Sequence, residues 1–242
     1  MTHLAWRVEH LTRVDSTNTW LVERARAGAR EGEVVYADFQ SAGRGRRDRT
    51  WVAPPGSSLL CSVLLDTAHS PAPPPFFVLT AALAMSEALE RLTRVRPVLK
   101  WPNDLLFGEA KVAGLLAEAV ADQVVVGLGL NLRALDPDFS AATTVLDATG
   151  VTLRARETLD AYLEALACRR ELLASPAGVA TLRAEFAASL STLGRAVRAQ
   201  LPTEVVAGVA VGVDDAGALL IDTGRAVRVV NAGDVVHLRG EE

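Results

Sequence analysis

Two stretches of this sequence concentrate side chains suited to handling anions. The first is Gln40-Ser-Ala-Gly-Arg-Gly-Arg-Arg-Asp-Arg-Thr-Trp51, where Gly43 and Gly45 alternate with Arg44 and Arg46, and Arg49 follows. Glycine lets backbone N–H groups approach an anion closely, and arginine supplies a forked pair of donors for phosphate or carboxylate. The segment reads as a loop that folds over an anionic ligand, with Trp51 at its exit to stack on a base or close a pocket. A solvated basic loop or a nucleic-acid patch is the plainer alternative for such a run.

The second stretch is Lys100-Trp-Pro-Asn-Asp-Leu-Leu106 followed by Lys111-Val-Ala-Gly-Leu-Leu-Ala-Glu118. Lys100, Asn103 and Asp104 are expected at the end of one strand and Lys111 at the start of the next, joined by a short loop that brings them to one sheet edge. A strand-start lysine is commonly a solvated charge, and an Asn-Asp pair is commonly a turn. Gly114, three residues on, allows close backbone access. A third signal is Gly127-Leu-Gly-Leu-Asn131: glycines alternating in an apolar strand leave one face bare, room for a flat ligand or a close strand crossing. The fourth is Asp15-Ser-Thr-Asn18, a helix cap in which Asn18 exceeds what capping requires.

Composition sharpens these choices. Of 25 basic residues only Lys100 and Lys111 are lysines, and three of the four asparagines (Asn18, Asn103, Asn131) fall in the segments above. Such rarity fits a GC-rich genome that erodes AT-rich codons wherever they are dispensable, which makes the survivors functional candidates. The 242 residues are 50% hydrophobic and 22% charged, with net charge −4. That balance excludes intrinsic disorder and argues against a general polyanion binder. No apolar run approaches the roughly 18–20 residues of a membrane span, no signal-peptide pattern opens the chain, and two cysteines form no disulfide framework. A reduced, cytoplasmic protein is expected.

The elements that must position these groups can be read coarsely. Strands are expected at 6–14, 34–39, 59–65, 98–101, 112–119 and 124–132, the last two joined near Asp122. Helices are expected after the Asp15/Ser16 cap as far as Gly28, at 76–92, at 156–174 and at 177–193, with 40–57 a loop. Beyond Gly194, Val-rich runs broken by turn signals every 7–10 residues or so predict a small all-β unit over 195–239. About 45 residues is near the lower limit for an independent core, so this unit should lean on the first.

Order and spacing join the motifs. Ser-Thr-Asn at 16–18, Gln-x-x-Gly-Arg-Gly-Arg at 40–46, Lys-Trp-Pro-Asn-Asp at 100–104, Lys-x-Ala-Gly-Leu-Leu-x-Glu at 111–118 and Gly-x-Gly-x-Asn at 127–131 together closely resemble the biotin–protein ligase family. The resemblance covers roughly residues 10–135. It implies an α+β fold: a mixed-sheet catalytic domain of the biotin/lipoate ligase type over 1–193, then a small SH3-like all-β C-terminal domain over 194–242. The family's N-terminal DNA-binding helix-turn-helix finds no room ahead of motifs that begin at residue 15, so the ligase-only form is expected. One departure is Asp48, where the family loop usually has Gly; it adds a negative charge and a Cβ.

The resemblance implies two steps. Biotin's carboxylate attacks the α-phosphate of ATP, giving biotinyl-5′-AMP and pyrophosphate. A lysine of a biotin carboxyl carrier domain, usually that of acetyl-CoA carboxylase, then takes the biotinyl group and releases AMP. Lys111, Arg46 and Asp104 are the implied catalytic residues: Lys111 between carboxylate and α-phosphate, Arg46 closing on the adenylate, Asp104 orienting or deprotonating the acceptor lysine. Biotin is expected to meet Ser16, Thr17, Asn18, Gln40, Gly43, Arg44, Gly45, Arg46 and Lys111, with Gly114 and Gly129 flanking its bicycle. ATP is expected at Arg46, Arg49, Trp51, Lys100, Asn103, Lys111 and Asn131, with Mg²⁺ neutralising the departing pyrophosphate and no metal site of the protein's own. A lipoate–protein ligase shares the adenylation logic but takes an acid without a ureido ring; Gly-Arg-Gly-Arg and Ser-Thr-Asn favour biotin. A nucleic-acid-binding module is the non-enzymatic alternative, and the acidic balance argues against it. No DNA or membrane partner is expected, and the chain should be a monomer or homodimer.

Overall fold

A computed structural model describes residues 4–47, 49–68, 70–135, 141–231 and 233–238. Asp48 therefore lies outside the described residues. Seven strands build the larger sheet: β1 (Arg7–Leu11), β2 (Glu33–Ala37), β3 (Ser58–Asp66), β4 (Val98–Lys100), β5 (Asp104–Phe107), β6 (Ala110–Val120) and β7 (Gln123–Asn131). Their order is β1-β2-β3-β7-β6-β5-β4; β1 and β2 run parallel and every other neighbouring pair antiparallel.

The two faces of this sheet are covered differently. On one side the Ala- and Leu-rich α2 (Pro75–Thr93) packs with α4 (Ala155–Leu172) and α5 (Pro176–Ser189). Phe76, Leu83, Met85 and Leu89 of α2 are fully buried, because this helix has the sheet on one side and α4 on the other. Pro75 is tolerated in its first turn, where the missing N–H would have had no helical partner. On the opposite face α1 (Thr17–Arg26) sets Leu21, Val22 and Ala25 against Val35, Leu64 and Val125. Both faces of β3 are thus covered, which is why Leu59 to Leu65 reads as a near-continuous apolar run with Ser62 its one polar interruption.

A second, antiparallel sheet follows, made of β8 (Ala196–Gln200), β9 (Val205–Val213), β10 (Leu219–Asp222), β11 (Val227–Val230) and β12 (Asp234–His237) in the order β11-β10-β9-β8-β12. Its inward residues Val197, Ala199, Leu219 and Ile221 join the same apolar cluster as α2, so the unit does lean on its neighbour. Polar contacts at the seam run through the segment after β4. The Trp101 indole N–H donates to the Gly217 carbonyl at 3.0 Å, and the Trp101 backbone N–H donates to Thr192 Oγ1 at 3.1 Å.

Three expectations need revision. Residues 104–107 are a strand, not part of a loop, because Val98–Lys100 and Asp104–Leu106 pair as a hairpin. A short α3 (Val145–Thr149), capped by Thr144, went unread. The helix expected to reach residue 193 stops at Ser189, since Ser191 N–H donates to the Leu99 carbonyl and draws the chain to the edge strand β4. Among the described residues no helix is long and apolar enough to cross a membrane.

Trp101 supplies the test of the seam. Trp101→Phe keeps much of the ring but leaves the Gly217 carbonyl without its donor. A loss of about 1–3 kcal/mol in unfolding free energy is expected, read from urea midpoints. A change below about 0.5 kcal/mol, the scale of a neutral surface substitution, would mean the bond contributes nothing to docking.

Candidate active site

Strand register lays out a bare floor on the face that carries α1. Gly129 of β7 pairs with Leu60 of β3 and with Gly114 of β6; Gly114 pairs with Asp104 of β5, and Asp104 with Lys100 of β4. Paired residues share a face, so one row runs Leu60, Gly129, Gly114, Asp104, Lys100. The adjoining row holds Ser62, Gly127 and Leu116.

Lys111 reaches this face through a β-bulge. Leu105 pairs with Ala113, but Leu106 pairs with Lys111, which leaves Val112 as an extra residue. Strict alternation would put Lys111 and Gly114 on opposite faces; the inserted residue reverses the parity. Val112 joins Ala113 in the main core, and Lys111 Nζ lies 2.6 Å from the Asp104 carboxylate.

The entrance to α1 contributes a polar wall. Ser16 caps the helix, with its hydroxyl accepting from Thr19 N–H. Gln40 Oε1 accepts from the Thr17 backbone N–H at 2.7 Å and from its hydroxyl at 3.0 Å. The Ser62 hydroxyl donates to Asn18 Oδ1 at 2.6 Å and lies 2.9 Å from Thr17 Oγ1. Asn18 Nδ2 donates to Glu118, whose carboxylate also takes two hydrogen bonds from Arg44 at 2.7 and 2.9 Å. A Cβ on Gly127 would lie 2.0 Å from Asn18 Oδ1, so only glycine there admits this side chain.

The arginine loop closes the opposite side. Gly43 sits in its backbone: its carbonyl accepts from Trp51 N–H, and a Cβ would strike the Trp51 carbonyl. Gly45 N–H donates to the Arg49 carbonyl, and Arg47 turns the chain in the left-handed region at φ 53°. Arg47 and Arg49 both pair with Asp234, the first residue of β12 in the second sheet. Among the described residues Arg46 makes no carboxylate pair; it donates to Asn103 Oδ1 at 3.2 Å. Burial lowers the pKa of its guanidinium, partly offset by the nearby Asp234 carboxylate.

A cavity of about 390 Å³ lies between these walls. It is lined by Ser16, Thr17, Asn18, Gln40, Arg44, Gly45, Arg46, Arg49, Trp51, Lys100, Asn103, Asp104, Lys111, Gly114, Gly129 and Asn131, so the structure brings together every expected residue except Gly43, which shapes the loop from outside the lining. The bare glycine strip is occupied by the chain itself. Carbons of the Trp51 indole lie where a Cβ on Gly129 would be, and the same ring lies against Gly114. The expectation that a bicycle rests directly on both glycines becomes a wall made of Trp51 upon glycine. Lys111 Nζ is 5.6 Å from that ring's centroid, and the indole N–H is buried without a partner among the described residues.

Ser62, Glu118, Gly127 and Asp234 were not read as site residues. A lone serine in an apolar strand, a glutamate closing the Lys111 motif and the first glycine of the 127–131 motif were visible signals. Asp234 closes an Asn-Ala-Gly-Asp stretch that has the composition of a turn, and no local pattern links it to a loop 185 residues away.

Residues 11–131 match the sequence model of the biotin/lipoate A/B protein ligase family, and residues 192–238 match that of the biotin protein ligase C-terminal domain. A biotin–[acetyl-CoA-carboxylase] ligase of Mycobacterium tuberculosis is 38% identical, with 97% of this chain and 90% of that protein aligned. The bifunctional ligase/repressor BirA of Escherichia coli is 30% identical over 95% of this chain and 73% of its own length. The biotin protein ligase from Aquifex aeolicus in complex with biotin and ATP superposes with a TM-score of 0.85 at 29% identity, covering 97% of this chain and 99% of that one.

The polar wall is testable through Gly127. Gly127→Ala should cost about 1–3 kcal/mol in urea unfolding by overpacking against Asn18. Adding Asn18→Ala should return part of that loss, because the colliding amide is gone. Independent, additive losses would mean that the glycine is not there to admit Asn18.

Proposed function

The chain belongs to the biotin/lipoate A/B protein ligase family, and we propose how its residues share the work of an ATP-dependent biotin–protein ligase. The enzyme forms biotinyl-5′-AMP from biotin and ATP and passes the biotinyl group to a lysine of a carboxylase's biotin carrier domain. The observation that carries the assignment of roles is one cavity in which Lys111 and Arg46 face the Thr17–Gln40–Asn18 wall. Catalytic residues come from 1–193; the small unit 194–242 completes the cavity with Asp234 to Val236.

The first step brings a carboxylate against a polyphosphate, so repulsion must be neutralised where charge develops. Lys111 stands on the floor and is the cation placed between the biotin carboxylate and the α-phosphate. Asp104 holds Lys111 at 2.6 Å and afterwards offers its carboxylate to the incoming amine. That amine has an unperturbed pKa near 10.4, so about one in a thousand is neutral at pH 7 and help in losing the proton matters. Arg46 takes the adenylate phosphate because, alone among the four loop arginines, it has no carboxylate partner among the described residues.

Biotin's ureido ring needs donors and acceptors together, which Ser16, Thr17, Gln40, Asn18 and the backbone around Arg44–Gly45 offer. The indole of Trp51, backed by Gly114 and Gly129, walls the bicycle. Lys100, Asn103, Arg49 and Asn131 line the nucleotide side. Among the described residues no group of three or more His, Cys, Asp or Glu could hold a metal ion, so Mg²⁺ would travel on the phosphates of ATP, as it commonly does. We place the enzyme in the cytoplasm, on the ground that Cys61 and Cys168 are free thiols. We expect it to work as a monomer or homodimer, without DNA.

Labelled biotin, ATP and an isolated carrier domain test the whole reading: label must appear on one carrier lysine, and lipoate must not substitute. Lys111→Ala should slow pyrophosphate release about a hundredfold, the consequence of losing roughly 3 kcal/mol from one strong charge contact in a partly dry site. Lys111→Arg should not fully rescue, since a fork replaces a point charge. A near-wild-type rate for Lys111→Ala would refute its assignment. Arg46→Gly should weaken retention of biotinyl-5′-AMP more than its formation, so that leaked adenylate labels bystander lysines. The readout is biotin on albumin; no increase over wild type, with synthesis intact, would remove Arg46 from retention.

A further inference from the structure

The small C-terminal unit reaches the ligand cavity through one carboxylate. Asp234 opens β12, pairs in register with Gln200 of β8, and is therefore held by a sheet that the arginine loop does not belong to. Its side chain is 30% exposed and touches Arg49, with Arg47 Nη1 at 3.6 Å. Arg47 and Arg49 flank the tip of the loop, whose base is tied by the Gly45–Arg49 and Gly43–Trp51 backbone bonds. Nothing else charged bridges the tip to the body of the protein among the described residues: Arg44 is tied to Glu118 near the base, and Arg46 to the neutral Asn103.

We infer that Asp234 is a positioning residue that latches the ligand loop, an anionic stand-in for pyrophosphate. This rests on the ligase reading above. Arg49 and Asp234 line the cavity, and Arg47 reaches the same carboxylate from beside it; a polyphosphate carries the same sign of charge in greater density. Entry of ATP draws the two guanidiniums away from Asp234. As the biotin carboxylate oxygen bonds to the α-phosphorus, the bond from that phosphorus to the bridging oxygen breaks and pyrophosphate leaves with that oxygen; the two cations lose their partner, and Asp234 takes them back. The loop thus stays shut over biotinyl-5′-AMP after the leaving group has gone, the stage at which water must be kept from the mixed anhydride. A single exposed ion pair is worth little. Here one half-buried carboxylate serves two arginines on one loop.

The latch can be tested with and without chemistry. Trypsin cleaves after arginine, so nicking within residues 44–49 of the full chain, with no biotin or ATP present, reports loop opening. Asp234→Asn should speed that nicking about fivefold, the upper range for exposed charge pairs, and Asp234→Glu should restore it. On enzyme preloaded with biotinyl-5′-AMP, Asp234→Asn should shorten adenylate half-life by a similar factor while pyrophosphate release slows less. In an Arg49→Ala background Asp234→Asn should add little to either readout, because its main partner is already gone. Unchanged nicking in Asp234→Asn, or additive effects in the Arg49→Ala background, overturns the latch. Loss of formation and retention in parallel that Asp234→Glu does not rescue also overturns it, since that is the mark of a general structural defect. If wild-type enzyme forms no adenylate, the ligase reading fails, and the nicking experiment still decides whether Asp234 holds the loop.

Discussion

Concentrated positive charge is the constraint on which this site depends. Arg44, Arg46, Arg47 and Arg49 fall within six residues, and Lys100 and Lys111 line the same cavity as Arg44, Arg46 and Arg49. Such a group repels itself, more strongly as burial lowers the local dielectric. The fold answers with three carboxylates drawn from three places: Glu118 on β6 for Arg44, Asp104 on β5 for Lys111, and Asp234 on β12 for Arg47 and Arg49. Among the described residues Arg46, held by a neutral amide, and Lys100 have no carboxylate within salt-bridge distance, and both line the cavity. The arrangement leaves one fork and one lysine for an incoming anion, and steadies Arg44, Arg47, Arg49 and Lys111 in fixed places.

The floor beneath those charges is made by omission. Gly127 gives up a side chain to Asn18, Gly129 gives up its own to Trp51, and Gly114 makes room for Lys111 with the Trp51 ring beside it. The two omissions on β7 let side chains from distant segments rest on the sheet, so α1 and the arginine loop are both anchored to β7. The sheet therefore both carries the site and aligns the two segments that enclose it. Ser62 fits the same logic: a polar residue in a strand buried on both faces must find partners, and it finds them in Thr17 and Asn18.

The second sheet is coupled to this site at two levels. Apolar residues of β8 and β10 share the core of α2, and Trp101, next to the site residues Lys100 and Asn103, donates to Gly217 in the turn before β10. Asp234 then extends the same unit to the ligand loop. A small sheet with too few residues for an independent core gains its stability from the larger domain and in return supplies one wall of the cavity.

Much of this was legible in the chain alone. Periodicity marked β3, α2, β6 and β7, and turn signals marked the all-β character of the C-terminal unit. The motifs around Asn18, Arg46, Lys100, Lys111 and Asn131 hold most of the polar cavity lining, because each motif is local and its chemistry depends on residue type. What stayed hidden was relational. Alternation places Lys111 on the wrong face, and only the pairing of β5 with β6 reveals the bulge at Val112 that turns it round. The hairpin at Asp104 was obscured by Pro102 and a polar pair that reads as a turn. Gly129 looked like space for a ligand, and only the folded loop shows Trp51 filling it. Asp234 carries no local signal at all: a carboxylate at the start of an edge strand becomes part of the site only when two sheets dock and bring it to Arg49. Residue type and spacing determined which chemistry this protein could perform. Register and docking, which join residues far apart in the chain, decided which groups meet.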